Sequence, residues 1–98
     1  MLYSSAIETS GATWIYQPPA RLSRTGALNC NVKIRYRQPD QPCLVTESGD
    51  GKLHVSFESE QRAVAPGQFA VFYDGDCCLG GAVIDRLFGV QESVRAAI

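Results

Sequence analysis

The chain has 98 residues, 45% of them hydrophobic, which suffices for one domain with a buried core and is too short for a nucleotide-binding enzyme with a separate substrate lobe. Nine Lys and Arg against ten Asp and Glu leave a formal net charge of −1, which argues against binding a polyanion by bulk attraction. No run approaches the ~18 apolar residues of a membrane span, and MLYSSAIETSG lacks the basic and apolar regions of a secretory signal, so a single domain free of targeting segments is expected.

The charge is unevenly spread. Residues 1–40 carry five basic residues (Arg21, Arg24, Lys33, Arg35, Arg37) against Glu8 and Asp40, a balance of +3, and residues 41–98 carry four against eight acids, a balance of −4. A polyanion contact should therefore favour the first half.

In chain order, residues 1–27 read as an extended lead-in with one short strand around Trp14-Ile15-Tyr16, interrupted by Pro18-Pro19. A barrel core over 28–88 follows, then a variable tail over 89–98. From Leu28 to Gln38, Leu28, Cys30, Val32, Ile34 and Tyr36 alternate with Asn29, Asn31, Lys33, Arg35 and Arg37, which predicts a half-buried strand. Pro39 and Pro42 bracket a turn. Cys43–Glu47 is a second strand, Ser48-Gly49-Asp50-Gly51 a hairpin connection, and Leu53, Val55 and Phe57 mark the return strand. Glu58–Arg62 is polar and reads as a loop, and Ala65-Pro66-Gly67-Gln68 as a tight turn. Phe69–Tyr73 alternates little, which suits a strand covered on both faces. Asp74-Gly75 is a hairpin signal leading into Cys77–Ile84, where Gly80-Gly81 implies a bulge or a close backbone approach. Gln91–Ile98 fits either one short helix or a segment without structure. The expected fold is all-β: a small antiparallel barrel of about six short strands with, at most, a short C-terminal helix.

Catalytic material is sparse. His54 is the only histidine and falls on the outward phase of its strand, no phosphate-binding glycine motif is present, and Glu58 and Glu60 lie beside Arg62 as a solvated loop. Cys30, Cys43, Cys77 and Cys78 lack metal-ligand spacing and read as small reduced hydrophobes, with a redox role for the vicinal Cys77-Cys78 pair as the other reading. The most informative feature is the row Lys33, Arg35, Arg37. On one strand face these cations would stand ~6.6 Å apart and repel unless cross-strand acids or phosphates neutralise them.

Three stretches, K-I-R-Y-R-Q with Pro42-Cys43, A-V-A-P-G-Q-F-A-V-F-Y over 63–73, and D-G-D-C-C-L-G-G-A-V-I over 74–84, resemble in order and spacing the C-terminal domain of the tRNA-specific 2-thiouridylases. The segment with Leu2-Tyr3-Ser4 and Trp14-Ile15 resembles the entry into that domain. Cys77 and the tail after Asp85 depart from the family pattern. The resemblance implies a cytoplasmic enzyme that uses ATP, bound by an S-G-G-x-D-S loop, to thiolate the wobble uridine of tRNA through catalytic cysteines. Loop and cysteines both belong to an upstream catalytic domain, so this domain holds no cofactor and is not itself catalytic. Its implied partners are tRNA, the upstream catalytic domain and a sulfur-relay donor to the enzyme, with no membrane. The implied tRNA contacts match Arg35, Tyr36 and Gln68, with Lys33 and Arg37 adding attraction. Two other readings remain: a noncatalytic barrel that braces the catalytic domain, or an unrelated small barrel that binds a ligand or peptide.

Overall fold

The computed structural model describes residues 2–35 and 38–92. In chain order these form β1 (Leu2–Thr9), β2 (Thr13–Trp14), α1 (Ala20–Thr25), β3 (Ala27–Lys33), β4 (Gln41–Ser48), β5 (Lys52–Arg62), β6 (Phe69–Asp74), β7 (Cys77–Phe88) and β8 (Gln91–Glu92). All pairings are antiparallel. The order β7-β6-β3-β4-β5-β1 closes through β1 against β7, giving a six-stranded barrel with β2 and β8 as short additions. Spatially, β6 returns beside β3 of the β3-β4-β5 meander, a Greek key. Closure leaves the barrel strands no long free edge.

The core follows from alternation. Each barrel strand sends at least one large, essentially inaccessible apolar side chain inward: Ile7, Val32, Val45, Val55, Phe72 and Ile84. Burying each such side chain stabilises the fold by about 1.5–3 kcal/mol. Leu22 of α1 joins this cluster. The β4–β5 turn holds Asp50 at φ 65 and Gly51 at φ 77, and Gly75 at φ 60 opens the β6–β7 turn, as the Gly- and Asp-bearing segments imply. Gly80-Gly81 performs both expected tasks. The register slips between Phe72↔Gly80 and Tyr73↔Cys78, leaving Leu79 as the extra residue, and β2 crosses so closely that a Cβ on Gly80 would meet the Thr13 carbonyl oxygen and the Trp14 backbone.

Several expectations are corrected. The lead-in supplies a full barrel strand: β1 buries Ser4, Ala6, Ile7 and Thr9, a pattern obscured by the register shift between Ser4 and Ala6. A helix stands where none was read. α1 has six residues and one buried side chain, too short for a 3.6-residue period to register; it starts after Pro19 and ends on Gly26, whose φ of 77 lets its N–H bond the Leu22 carbonyl at 2.8 Å. β3 stops at Lys33 and not at Gln38. The Gln38 side-chain oxygen accepts from the N–H groups of Ile34 and Arg35, both at 3.3 Å, so a local turn takes the hydrogen bonds a longer strand would have made. Glu58–Arg62 is strand, because β5 bends round to pair Gln61 with Ser4 and Arg62 with Tyr3. β6 alternates after all: Ala70 and Phe72 are buried and Phe69 is exposed. His54 points outward as expected but is half-buried, its ring 5.3 Å from that of Phe88. Gln91–Glu92 pairs as β8 with Leu2–Tyr3, and the rest of the tail, 93–98, lies outside the described residues.

Candidate nucleic-acid interface

One end of the barrel gathers the end of β3, the β3–β4 turn, the start of β4, the end of β5, the β5–β6 connection and the start of β6. Arg35 and Gln68, about thirty residues apart in sequence, both bond the β5–β6 connection there.

Arg35 is half-buried in the β3–β4 turn. Its terminal nitrogen Nη2 donates to the carbonyl oxygens of Arg62 and, at 2.9 Å, of Ala63. Ala63 has φ 52, a left-handed kink at the end of β5, and the guanidinium supplies a donor to both carbonyls. A guanidinium carries five N–H donors, and both bonds use a single nitrogen, so Nε and Nη1 lie outside these contacts. Arg35 thus locks the β3–β4 turn to the β5–β6 connection while keeping part of its donor fork.

Gln68 closes the other end of that connection. Its side-chain oxygen accepts from the Ala65 N–H at 2.9 Å, next to Gly67 at φ 91, and its backbone carbonyl accepts from Ile84 N–H at 2.8 Å. The acceptor half of its amide is held within the turn, and the NH2 half takes no part in that bond. Arg35 and Gln68 therefore frame one segment, Arg62 to Gln68, from its two ends.

Lys33 sits apart. It is the last residue of β3, opposite Val71, and its Nζ lies over the Tyr73 ring at 5.6 Å, in a small hollow shared with Asp40 and Asp76. Among the described residues Lys33 and Arg35 do not share one strand row, because β3 ends at Lys33 and Arg35 lies in the following turn. Tyr36 and Arg37 lie outside the described residues. The basic first half is also divided. Arg21 and Arg24 lie on α1, lining a groove of about 430 Å³ with Ala27 and Asn29 at the start of β3, so the length of that strand, about 20 Å, separates them from the Arg35 end.

Two residues of the Arg35 end were not singled out from sequence. Gln38 bonds the β3–β4 turn and donates its Nε2 to the Gln61 side-chain oxygen at 2.6 Å; Gln61 is 4% exposed and in turn donates to the Ser59 carbonyl at 2.7 Å. Its place directly after R-Y-R was the available signal. Arg62 is exposed at the end of β5, and only the strand's full length reveals that it neighbours Arg35. The surface so formed is cationic at Arg35 and Arg62, carries the amide NH2 of Gln68, and suits phosphate and sugar oxygens better than a base-specific code.

Comparison with known proteins agrees with this architecture. The family model described as the aminomethyltransferase beta-barrel domain matches residues 4–84. The tRNA-specific 2-thiouridylase MnmA of Xanthomonas campestris pv. campestris is 51% identical over 85 residues, which are 86% of this chain and 21% of that protein. The same-named protein of Alcanivorax borkumensis is 48% identical over 87 residues (88% and 22%), and that of Francisella philomiragia 42% over 84 (86% and 22%). The chain thus spans about a fifth of the length of these relatives. With a closed antiparallel barrel and a family match over 4–84, the chain belongs to the aminomethyltransferase beta-barrel domain family, in the form seen in the tRNA-specific 2-thiouridylases.

Proposed function

We propose that this barrel holds tRNA for a tRNA-specific 2-thiouridylase, and that ATP use, sulfur transfer and contact with a sulfur-relay donor belong to the portion of the enzyme that the relatives carry beyond the matched region. The observation that carries the reading is that Arg35 and Gln68 both bond the Arg62–Gln68 connection at one barrel end, in a chain about half identical to the matched fifth of 2-thiouridylases. Arg35 and Arg62 engage the RNA backbone, Gln68 offers its amide NH2 to sugar or base edges, Tyr36 offers a flat face and a hydroxyl, and Lys33 and Arg37 add attraction. Binding energy gained here, remote from the reacting base, helps orient the wobble uridine for chemistry in the cytoplasm. No described helix is long and apolar enough to cross a membrane.

The test is fluorescence anisotropy of labelled tRNA against this chain over a series of salt concentrations. The expected logarithmic affinity falls with logarithmic salt by about 0.7–0.9 per phosphate contact. A flat response, or equal affinity after Arg62→Ala and Arg35→Lys, refutes the interface.

One observation favours an added bracing role. Phe69 (51% exposed) stands directly opposite Val83 (39%) on the outer face of β6 and β7, where an apolar cross-strand pair gains from a covering surface. The catalytic portion of the enzyme is the partner this reading assigns. Phe69→Ser would then lower the melting temperature of the full-length enzyme by more than that of this chain, where the ring covers Gly81 on β7.

A further inference from the structure

Cys30 on β3 and Cys43 on β4 are directly opposed in the antiparallel ladder, with their sulfur atoms 3.8 Å apart. Opposed strand residues have Cα atoms about 4.5–5.5 Å apart, within the about 4.4–6.8 Å span that a disulfide bridges. Closing the remaining gap to about 2.05 Å requires rotation about the two Cα–Cβ bonds, not a change of register. The pair is also reachable. Cys43 is 6% exposed, but Cys30 is half-buried, and both line an open groove of about 610 Å³ bordered by Asn29, Asn31, Tyr73 and Asp74. Cys77 and Cys78, the pair that the sequence suggested for redox chemistry, point to different environments on β7, one exposed and one half-buried.

We propose that Cys30 and Cys43 form a reversible disulfide site, oxidised by small-molecule disulfides that enter this groove. In the first step the Cys30 thiolate attacks one sulfur of the reagent. A mixed disulfide forms, and the other half of the reagent leaves as a thiolate. In the second step the Cys43 thiol gives up its proton and its sulfur attacks that of Cys30, expelling the second half. The two cysteines are oxidised, the reagent is reduced to two thiols, and the two cysteine protons end on those thiols. Cys30 suits the nucleophile's role, since it is the more accessible and a thiolate there accepts the Cys43 S–H. That hydrogen bond pulls the Cys30 thiol below its ordinary value against opposing burial and the nearby Asp74 carboxylate, and it pushes the Cys43 thiol up.

The position gives the site consequence. Cys30 and Cys43 flank the β3–β4 turn, so the disulfide would clamp the root of the hairpin that presents Lys33 and Arg35. An influence on RNA rests on the tRNA-holding role proposed above; the chemistry of the thiol pair does not.

The experiment uses oxidised glutathione on this chain under native conditions, thiol titration, and mass spectrometry of an unreduced tryptic digest. Accessible thiols measured after unfolding should fall from four to two. Peptide 25–33 should appear joined to peptide 38–52, and the join should persist in the Cys77→Ser/Cys78→Ser variant and vanish on adding dithiothreitol. A lasting glutathione adduct on Cys30 without the joined peptides, a join of either peptide to 63–86, or four thiols remaining would overturn the proposal. Each outcome is read without RNA, so loss of the tRNA reading leaves it standing.

Discussion

Replacing Arg35 by Ala should affect both stability and RNA binding, and the two can be separated. The side chain gives two charge-assisted hydrogen bonds to the carbonyls of Arg62 and Ala63. Such bonds contribute about 1.5–3 kcal/mol each when buried. Here the site is half open and water can replace the lost donor, so about 1–2 kcal/mol in total is the expected loss. For a domain of this size each kcal/mol lowers the melting temperature by about 4–8 °C, which gives a drop of about 4–16 °C. Arg62→Ala provides the contrast. Arg62 is exposed, and its carbonyl, not its side chain, takes part in these bonds, so the change should stay within about 0.5 kcal/mol. Thermal denaturation by circular dichroism reads both variants, and tRNA anisotropy well below either transition reads the interface. Both variants should reduce the salt slope by about one phosphate contact. An Arg35→Ala chain that melts with the parent would refute the clamp. A pair of variants with unchanged slopes would refute the interface.

Four other outcomes are expected. Gly80→Ala should destabilise by about 1–3 kcal/mol in chemical denaturation, because φ is 155 and the added methyl group collides with the Thr13 carbonyl and the Trp14 backbone of β2. Phe72→Ala should cost about 3–5 kcal/mol and leave little folded protein, since Phe72 is fully buried and its ring lies 6.0 Å from that of Trp14. Lys52→Ala should change stability by less than about 1 kcal/mol, for the 3.9 Å pair with Asp85 is solvated on both sides. Alkylation of Cys30 as a function of pH should begin below the ordinary thiol range and shift upward in Cys43→Ala, which removes the S–H donor. A thiol depressed on folding stabilises the fold above its unfolded pKa and loses that contribution as pH falls through the folded value, so the Cys30 contribution to stability grows on the alkaline side.

Much of the barrel was legible because strand alternation and turn chemistry are local. Val32, Val45, Val55 and Ile84 advertise their inward phase, and Asp50-Gly51 and Gly75 advertise backbone that bends with positive φ. β1 escaped because its register slips between Ser4 and Ala6, so its buried residues do not alternate, and α1 escaped because six residues with one apolar contact carry no period. The polar end of β5 looked like a loop because Gln61 is buried among partners, Gln38 and the Ser59 carbonyl, that are invisible to a hydropathy pattern.

The residue types alone determined that this chain builds a small closed β structure, that its basic groups cluster in K-I-R-Y-R-Q, and that it resembles a tRNA-modifying family. Only the folded arrangement decided that β3 ends at Lys33, that Arg35 spends part of its donor fork on Arg62 and Ala63, that Arg62 and Gln38 join the same surface, and that Cys30 faces Cys43. The physical reason is range. Alternation and positive-φ turns are set by neighbours along the chain, whereas the opposition of the two sulfurs and the hydrogen bonds of Arg35 depend on the pairing register of β3 with β4 and of β4 with β5.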